Sequence, residues 1–187
     1  MHLPDKAMKF LIASDIHGSA YYSQKLLEAY QKENADKIIL LGDILYHGPR
    51  NDLPKEYNPK AVIAMLNPLK DKILAVRGNC DCEVDQMVLE FPILADYAII
   101  TAGKTLIYIT HGHNFNSANL PPLSKGDILL HGHTHVPAAE KHATFTYLNP
   151  GSVSIPKENS PHSYMTFDGK TFLWKTLEGE IYKSFEI

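Results

Sequence analysis

Short apolar runs of strand length recur along the first half of the chain, and each ends in a polar cluster. Residues 9–14 lead into Asp15, residues 37–41 into Gly42-Asp43, and residues 73–76 into Arg77-Gly78-Asn79. The runs are continuous rather than alternating, as strands buried on both faces require. Between them Tyr22, Leu26, Leu27 and Tyr30, and then Val62, Met65, Leu66 and Leu69 after Pro59, recur at helical spacing. Strand, helix, strand, helix, strand predicts βαβ units and a sheet with a parallel half.

The second half has a different punctuation. Residues 98–100 and 105–110 flank Ala102-Gly103, and residues 164–167 and 172–177 flank Asp168-Gly169, the strongest hairpin dipeptide in the chain. Antiparallel strands are therefore expected to dominate the C-terminal part. The predicted architecture is two sheets face to face with helices outside, in one domain over residues 8–187. Residues 1–7 contribute nothing to this pattern and read as an N-terminal extension. The proline-rich stretch 49–59 reads as a loop over the site.

Composition removes several classes. The 187 residues are 44% hydrophobic and 21% charged, which excludes a disordered or fibrous chain. Eighteen basic against twenty-one acidic residues give a formal charge of −3, so no electrostatic footprint for long nucleic acids exists. No apolar run approaches the roughly 20 residues of a membrane span. The N-terminal segment lacks the apolar core of a signal peptide, so a cytoplasmic protein without a membrane partner is expected. Two cysteines, Cys80 and Cys82, are too few and too close for a disulfide framework.

The rare residues point to the chemistry. Seven of the ten histidines lie at five strand ends: Asp15-Ile16-His17, Gly42-Asp43 with His47, Gly78-Asn79-Cys80-Asp81, His111-Gly112-His113, and His131-Gly132-His133-Thr134-His135. Ligands in α/β sheets bind just beyond the carboxyl ends of strands. Carboxylate, imidazole and amide oxygen without thiolate suit Mn²⁺, Fe²⁺ or Zn²⁺ with room for water. Asp15 and His17, like His133 and His135, stand two apart on extended chain and can chelate one ion. So many ligands exceed the needs of one ion, which predicts two ions sharing a bridging carboxylate. Glycines beside these ligands let the backbone turn sharply.

In this order, Asp-x-His, Gly-Asp, Gly-Asn-x-Asp, Gly-His and Gly-His-x-His resemble the calcineurin-like metallophosphoesterase superfamily. Residues 42–50, 77–81 and 149–152 look like its small bacterial YfcE-type phosphodiesterase branch. The resemblance spans the chain from about Met8 to the final strands. It implies a four-layer αββα sandwich of two mixed sheets flanked by helices. By the same resemblance Asp15, His17 and His135 hold one metal, Asn79, His111 and His133 hold the second, and Asp43 bridges them.

The resemblance further implies hydrolysis of small phosphodiesters by a metal-bound hydroxide, with Mn²⁺ preferred and Zn²⁺, Fe²⁺ or Ni²⁺ as alternatives. Asp43, Asn79, Asp81 and Arg77 are the catalytic candidates. Asp81 is expected to orient groups around the ligands, and Arg77 and Arg50 to grip a phosphate oxygen. Cys80 and His113 are further candidates beside the site. Cys80 departs from many superfamily members, in which a histidine there assists the leaving group. Easier aryl leaving groups are the expected consequence. A phosphomonoesterase or nucleotidase on the same site, a metal-free protein-interaction scaffold, and a homo-oligomer all remain open at this stage.

Overall fold

The computed structural model describes residues 7–187, so of the expected extension 1–7 all but Ala7 lies outside the described residues. The first half runs β1 (Phe10–Ala13), α1 (Ala20–Glu33), β2 (Lys37–Leu40), α2 (Pro59–Leu66), β3 (Ile73–Ala75) and the single-turn α3 (Glu83–Gln86). The second half is β4 (Ala98–Ala102), β5 (Thr105–Ile109), β6 (Asp127–Leu130), β7 (Ala138–Lys141), β8 (Phe145–Asn149), β9 (Ser163–Phe167), β10 (Thr171–Thr176) and β11 (Ile181–Glu186). Two mixed sheets result, ordered β11-β10-β9-β1-β2-β3 and β4-β5-β6-β8-β7.

In the first sheet β1, β2 and β3 are parallel, as the βαβ pattern predicts, and β9 joins β1 antiparallel. Antiparallel pairing dominates the second half as expected, in β4-β5, β7-β8, β9-β10 and β10-β11, but the second sheet is mixed. Its centre, β5-β6-β8, is parallel, and only the edge strands β4 and β7 run against it. β6, at the middle of this sheet, is buried along its whole length. Such a continuous apolar run is the mark of a strand covered on both faces, and the hairpin dipeptides elsewhere obscured it.

Burial alternates along the strands and sets the layers. Leu11, Ala13, Ile38 and Leu40 face Leu26, Ala29, Val62 and Leu66 of the two helices. The opposite phase, Ile12 and Ile39, meets Ile107, Ile109, Ile128 and Leu130 of the second sheet around the fully buried Trp174. The outer face of the second sheet carries Tyr108, Leu129 and Tyr147, against which Phe115 and Leu123 pack from the irregular segment between β5 and β6. The sandwich is thus rich in helix on one side and covered by loop on the other.

Local chemistry ends the helices. The Ser19 hydroxyl accepts the Tyr22 N–H at 3.2 Å to start α1, and Asn34 ends it in the left-handed conformation (φ 48°). The helix expected to include Leu69 stops at Leu66, because Pro68 has no N–H to bond back to Ala64 and the chain tightens into a 3-10 helix over Asn67–Lys72.

One half-buried polar cluster ties α1 to β9, β10 and the start of β1. Glu33 accepts from Lys9 (2.9 Å), Lys175 (2.6 Å) and the Tyr164 hydroxyl (2.9 Å). Burial opposes its charge, yet Lys175 and Lys9 hold the carboxyl down at about 2. Because the folded value lies below that of the unfolded chain, this contribution is present above about pH 4.5 and is lost as pH falls toward 2. Glu33→Gln is expected to remove about 2 kcal/mol at neutral pH and to flatten acid unfolding over that window. Urea melts at pH 7 and pH 3 check it, and equal losses at both pH values would contradict it.

Candidate metal centre

The site is built where strands stop. Asp15 and His17 follow β1, Asp43 follows β2, Asn79 follows β3, His111 follows β5, and His133 and His135 follow β6. Five of these residues take left-handed backbone: Asp15 (φ 58°), His17 (49°), Asp43 (55°), His133 (67°) and His135 (63°). L-residues pay for that conformation, and strain of this kind persists only where surrounding contacts over-determine it. Two glycines permit the close approach of these tips. A Cβ at Gly78 would strike the Asp43 backbone N and Oδ1, and one at Gly132 would strike the Ser14 hydroxyl.

The side chains converge in three overlapping groups: Asp15, His17 and His135; Asp15, Asp43 and His111; and His17, Asp43 and Cys80. Asp15 Oδ1 stands 3.3 Å from His135 Nε2 and 3.6 Å from His17 Nε2. Asp43 Oδ2 stands 3.6 Å from His17 Nε2 and 3.5 Å from His111 Nε2. His111 Nε2 in turn lies 3.1 Å from Asn79 Oδ1 and 3.2 Å from His133 Nδ1.

These distances fit cations. Donors about 2.1 Å from one ion, at angles of about 90–120°, sit roughly 3.0–3.6 Å from each other. The tautomers agree: Nδ1–H of His17, His111 and His135 donates to the carbonyls of Tyr46 (2.8 Å), Leu41 (2.6 Å) and Ile155 (2.6 Å). Each Nε2 is therefore turned inward, as second contacts on metal-bound imidazoles arrange it. His17 and His135 bring two such nitrogens within 3.3 Å of each other, and the buried Asp15 Oδ1 has no hydrogen-bond partner. A divalent ion satisfies all of these groups together.

Electrostatics point the same way. Burial opposes charge on Asp15, but His135 and His17 hold its carboxyl well below the usual range. Burial likewise works against a charged His111, yet the Asp43 carboxylate lifts it to about 9 in the metal-free pocket. A metal must displace that proton. Metal affinity is accordingly expected to rise close to tenfold per pH unit between about pH 6 and 8. Competition against a chelator measures it, and a flat affinity over this range would contradict it.

Asp81 does not reach the cluster. It is buried, and its carboxylate accepts the backbone N–H groups of Asp43 (2.8 Å), Ile44 (2.9 Å) and Gly78 (2.8 Å), tying the tips of β2 and β3 together. Burial pushes its carboxyl up, against the three donors. The loop after β8 supports the other side. Ser152 and Ser154 hydroxyls donate to the Asp15 carbonyl (2.9 and 3.0 Å), and the Asn149 amide donates to Gly132 O (2.9 Å) and the Thr134 hydroxyl (3.0 Å). Ser152 closes the 149–152 segment singled out in the sequence, whereas Ser154 escaped sequence reasoning because a serine in a turn carries no distinguishing signal.

The remaining candidates are distributed unevenly. Arg50 lines a cavity of about 470 Å³ over the cluster, together with Asn79, Cys80 and Lys157. Lys157 had no motif to announce it. Arg77 points elsewhere: its Nη2 is 3.4 Å from Glu83 and its Nε donates to the Asp81 carbonyl at 3.3 Å. The Cys80 N–H donates to Asp43 Oδ1 at 2.8 Å, and its Sγ comes within reach of His17 and Asp43. Burial and the Asp43 carboxylate push that thiol up. His113 has its ring centroid 5.4 Å from that of His111 and a buried Nδ1 without a partner. The His47 Nδ1 is also buried without a partner, and His131 stacks on Tyr147 at 4.3 Å.

A two-sheet sandwich with carboxylates, imidazoles and an amide gathered at its strand ends defines a metal-binding phosphoesterase domain. The chain belongs to the calcineurin-like phosphoesterase superfamily, whose domain matches residues 8–171. It is 48% identical to Phosphodiesterase YfcE of Escherichia coli over 161 residues, 86% of this chain and 88% of that protein. The structure of E. coli YfcE, described as a phosphoesterase, superposes with a TM-score of 0.92 at 45% identity over 96% of this chain and all of that one. Vps29 of Entamoeba histolytica, solved with Zn²⁺, shares the fold (TM-score 0.61, 21% identity, 96% of this chain and 99% of that one). No helix among the described residues is long and apolar enough to cross a membrane.

Proposed function

We propose that this metal-dependent phosphoric ester hydrolase is a phosphodiesterase that works on small phosphodiesters with two divalent ions. One observation carries the reading: Asp43 Oδ2 lies 3.6 Å from His17 Nε2 and 3.5 Å from His111 Nε2, between the two ligand groups. Asp15, His17 and His135 would hold one ion, Asn79, His111 and His133 the other, and Asp43 both. When bound, two such ions supply Lewis acidity toward a phosphoryl oxygen and lower the pKa of water.

The chain's own residues prepare that chemistry. Asp15 and Asp43 cancel only part of the charge of two divalent ions, so the site stays attractive to a phosphate ester. Arg50 and Lys157 on the cavity wall add positive charge facing the ester. Asn79 directs its Oδ1 toward His111 while its Nδ2 donates to Cys80 Sγ at 3.3 Å. Asp81 acts at one remove by fixing the backbones of Asp43 and Gly78, and Arg77 acts on the Asp81 loop. Mn²⁺ is the proposed ion, because nitrogen and oxygen donors predominate among the converging side chains. The phosphodiesterase name of the 48% identical relative supports a diester as substrate.

The test is turnover of bis(4-nitrophenyl) phosphate and 4-nitrophenyl phosphate after loading with Mn²⁺, Zn²⁺, Ni²⁺ or Mg²⁺, with metal counted in the same samples. Faster diester turnover with two ions per chain is expected. Preference for the monoester would favour a phosphomonoesterase, and a protein loaded with two ions but inert toward both would favour a binding scaffold.

A further inference from the structure

A second depression adjoins the catalytic cavity, and its chemistry is the opposite. The first is walled by Asp, His, Asn, Arg50 and Lys157, whereas the second, about 350 Å³, is walled by Tyr46, Tyr57, Ile63, Val84 and Val88. Cys80 lines both, so a single side chain stands between the two. The backbone of the shared wall belongs to the metal centre itself, since Cys80 N–H bonds Asp43 Oδ1 and the Tyr46 carbonyl accepts from His17.

The apolar walls are open to solvent. Tyr46 is 41% exposed, Val84 67% and Val88 42%. Side chains of this kind, concentrated around a concave surface next to a polar site, mark a place for an apolar group. The one carboxylate in the wall does not spoil it: Asp85 Oδ2 is already engaged by the Cys82 N–H at 2.9 Å, inside the first turn of α3.

We propose that this groove receives an apolar ester substituent of the substrate, so that Tyr46, Ile63, Val84 and Val88 select diesters with a hydrophobic arm. The inference rests on the phosphodiesterase reading and adds the class of alcohol. The phosphate of a diester has two arms and a single charge. With the phosphoryl group at the metal centre, an arm directed past Cys80 leaves the polar cavity and enters the apolar one. Burying each methylene there strengthens binding by up to about fourfold.

Dialkyl phosphinates carry the diester's single charge and cannot be hydrolysed, so they read binding apart from turnover. Calorimetry on Mn²⁺-loaded protein with the dimethyl, diethyl and dibutyl compounds is expected to show affinity climbing severalfold per methylene. Val84→Asp and Val88→Asp, both at exposed positions, are expected to flatten that climb while leaving the dimethyl compound bound as before. Val84→Leu is expected to preserve it. A flat series in the unsubstituted protein, or an equally steep one in both aspartate variants, would overturn the proposal. A steep series in a protein that fails to hydrolyse bis(4-nitrophenyl) phosphate would support the groove and count against the activity alone.

Discussion

Asp43→Asn is expected to reduce diester turnover by roughly a thousandfold and to lower the metal content of the purified protein. The substitution keeps the shape and removes the charge. Asp43 Oδ2 is the atom placed between His17 and His111, and Oδ1 accepts the Cys80 N–H. An amide can offer its oxygen to one of these duties and turns an NH₂ toward the other. Metal ions contribute several kcal/mol of transition-state stabilisation, and at about 1.4 kcal/mol per tenfold that is about a thousandfold in rate. Elemental analysis and turnover of bis(4-nitrophenyl) phosphate check it together. Full metal content with unchanged turnover would remove Asp43 from its bridging role.

Asp81→Ala carries the second large effect, and here it falls first on the fold. The carboxylate is 2% exposed and accepts three backbone N–H groups from two different loops. Removing it leaves three buried donors without partners, each costing about 1–3 kcal/mol before water reaches them. A loss of about 3–5 kcal/mol is expected, which for a domain of this size lowers Tm by about 10 °C. Metal affinity falls with it, by about 10- to 100-fold, because the backbones that aim Asp43 and Asn79 are no longer fixed. Asp81→Asn retains an acceptor for only one side of the arrangement and is expected to recover part of the stability. Thermal melts with and without Mn²⁺ measure both, and an Asp81→Ala protein melting as the parent does would refute the tie.

Much of the molecule is written locally. The runs ending at Asp15, Asp43 and Asn79, the Ser19 cap and the helical spacing of Tyr22 to Tyr30 specify β1, α1, β2 and β3, because a strand's burial and a helix's face are properties of short segments. Metal-ligand chemistry is equally local: the residue types at five strand ends name the donors before their positions are known. Direction of pairing is not local. The hairpin signals at Ala102-Gly103 and Asp168-Gly169 are real, and both form antiparallel pairs, but nothing within residues 128–130 states that β6 lies parallel between β5 and β8. That is settled by which faces the whole chain must bury.

The same division holds at the site. Sequence alone supplied the donors; only tertiary structure decided which of them face one another, through carbonyls at Tyr46, Leu41 and Ile155 that lie 20 to 70 residues from the histidines they orient. It likewise turned Arg77 toward Glu83, brought Lys157 onto the cavity wall, and set an apolar groove against a charged cavity across Cys80. A side chain's type is fixed by its codon, but its partners are fixed by packing among segments distant along the chain.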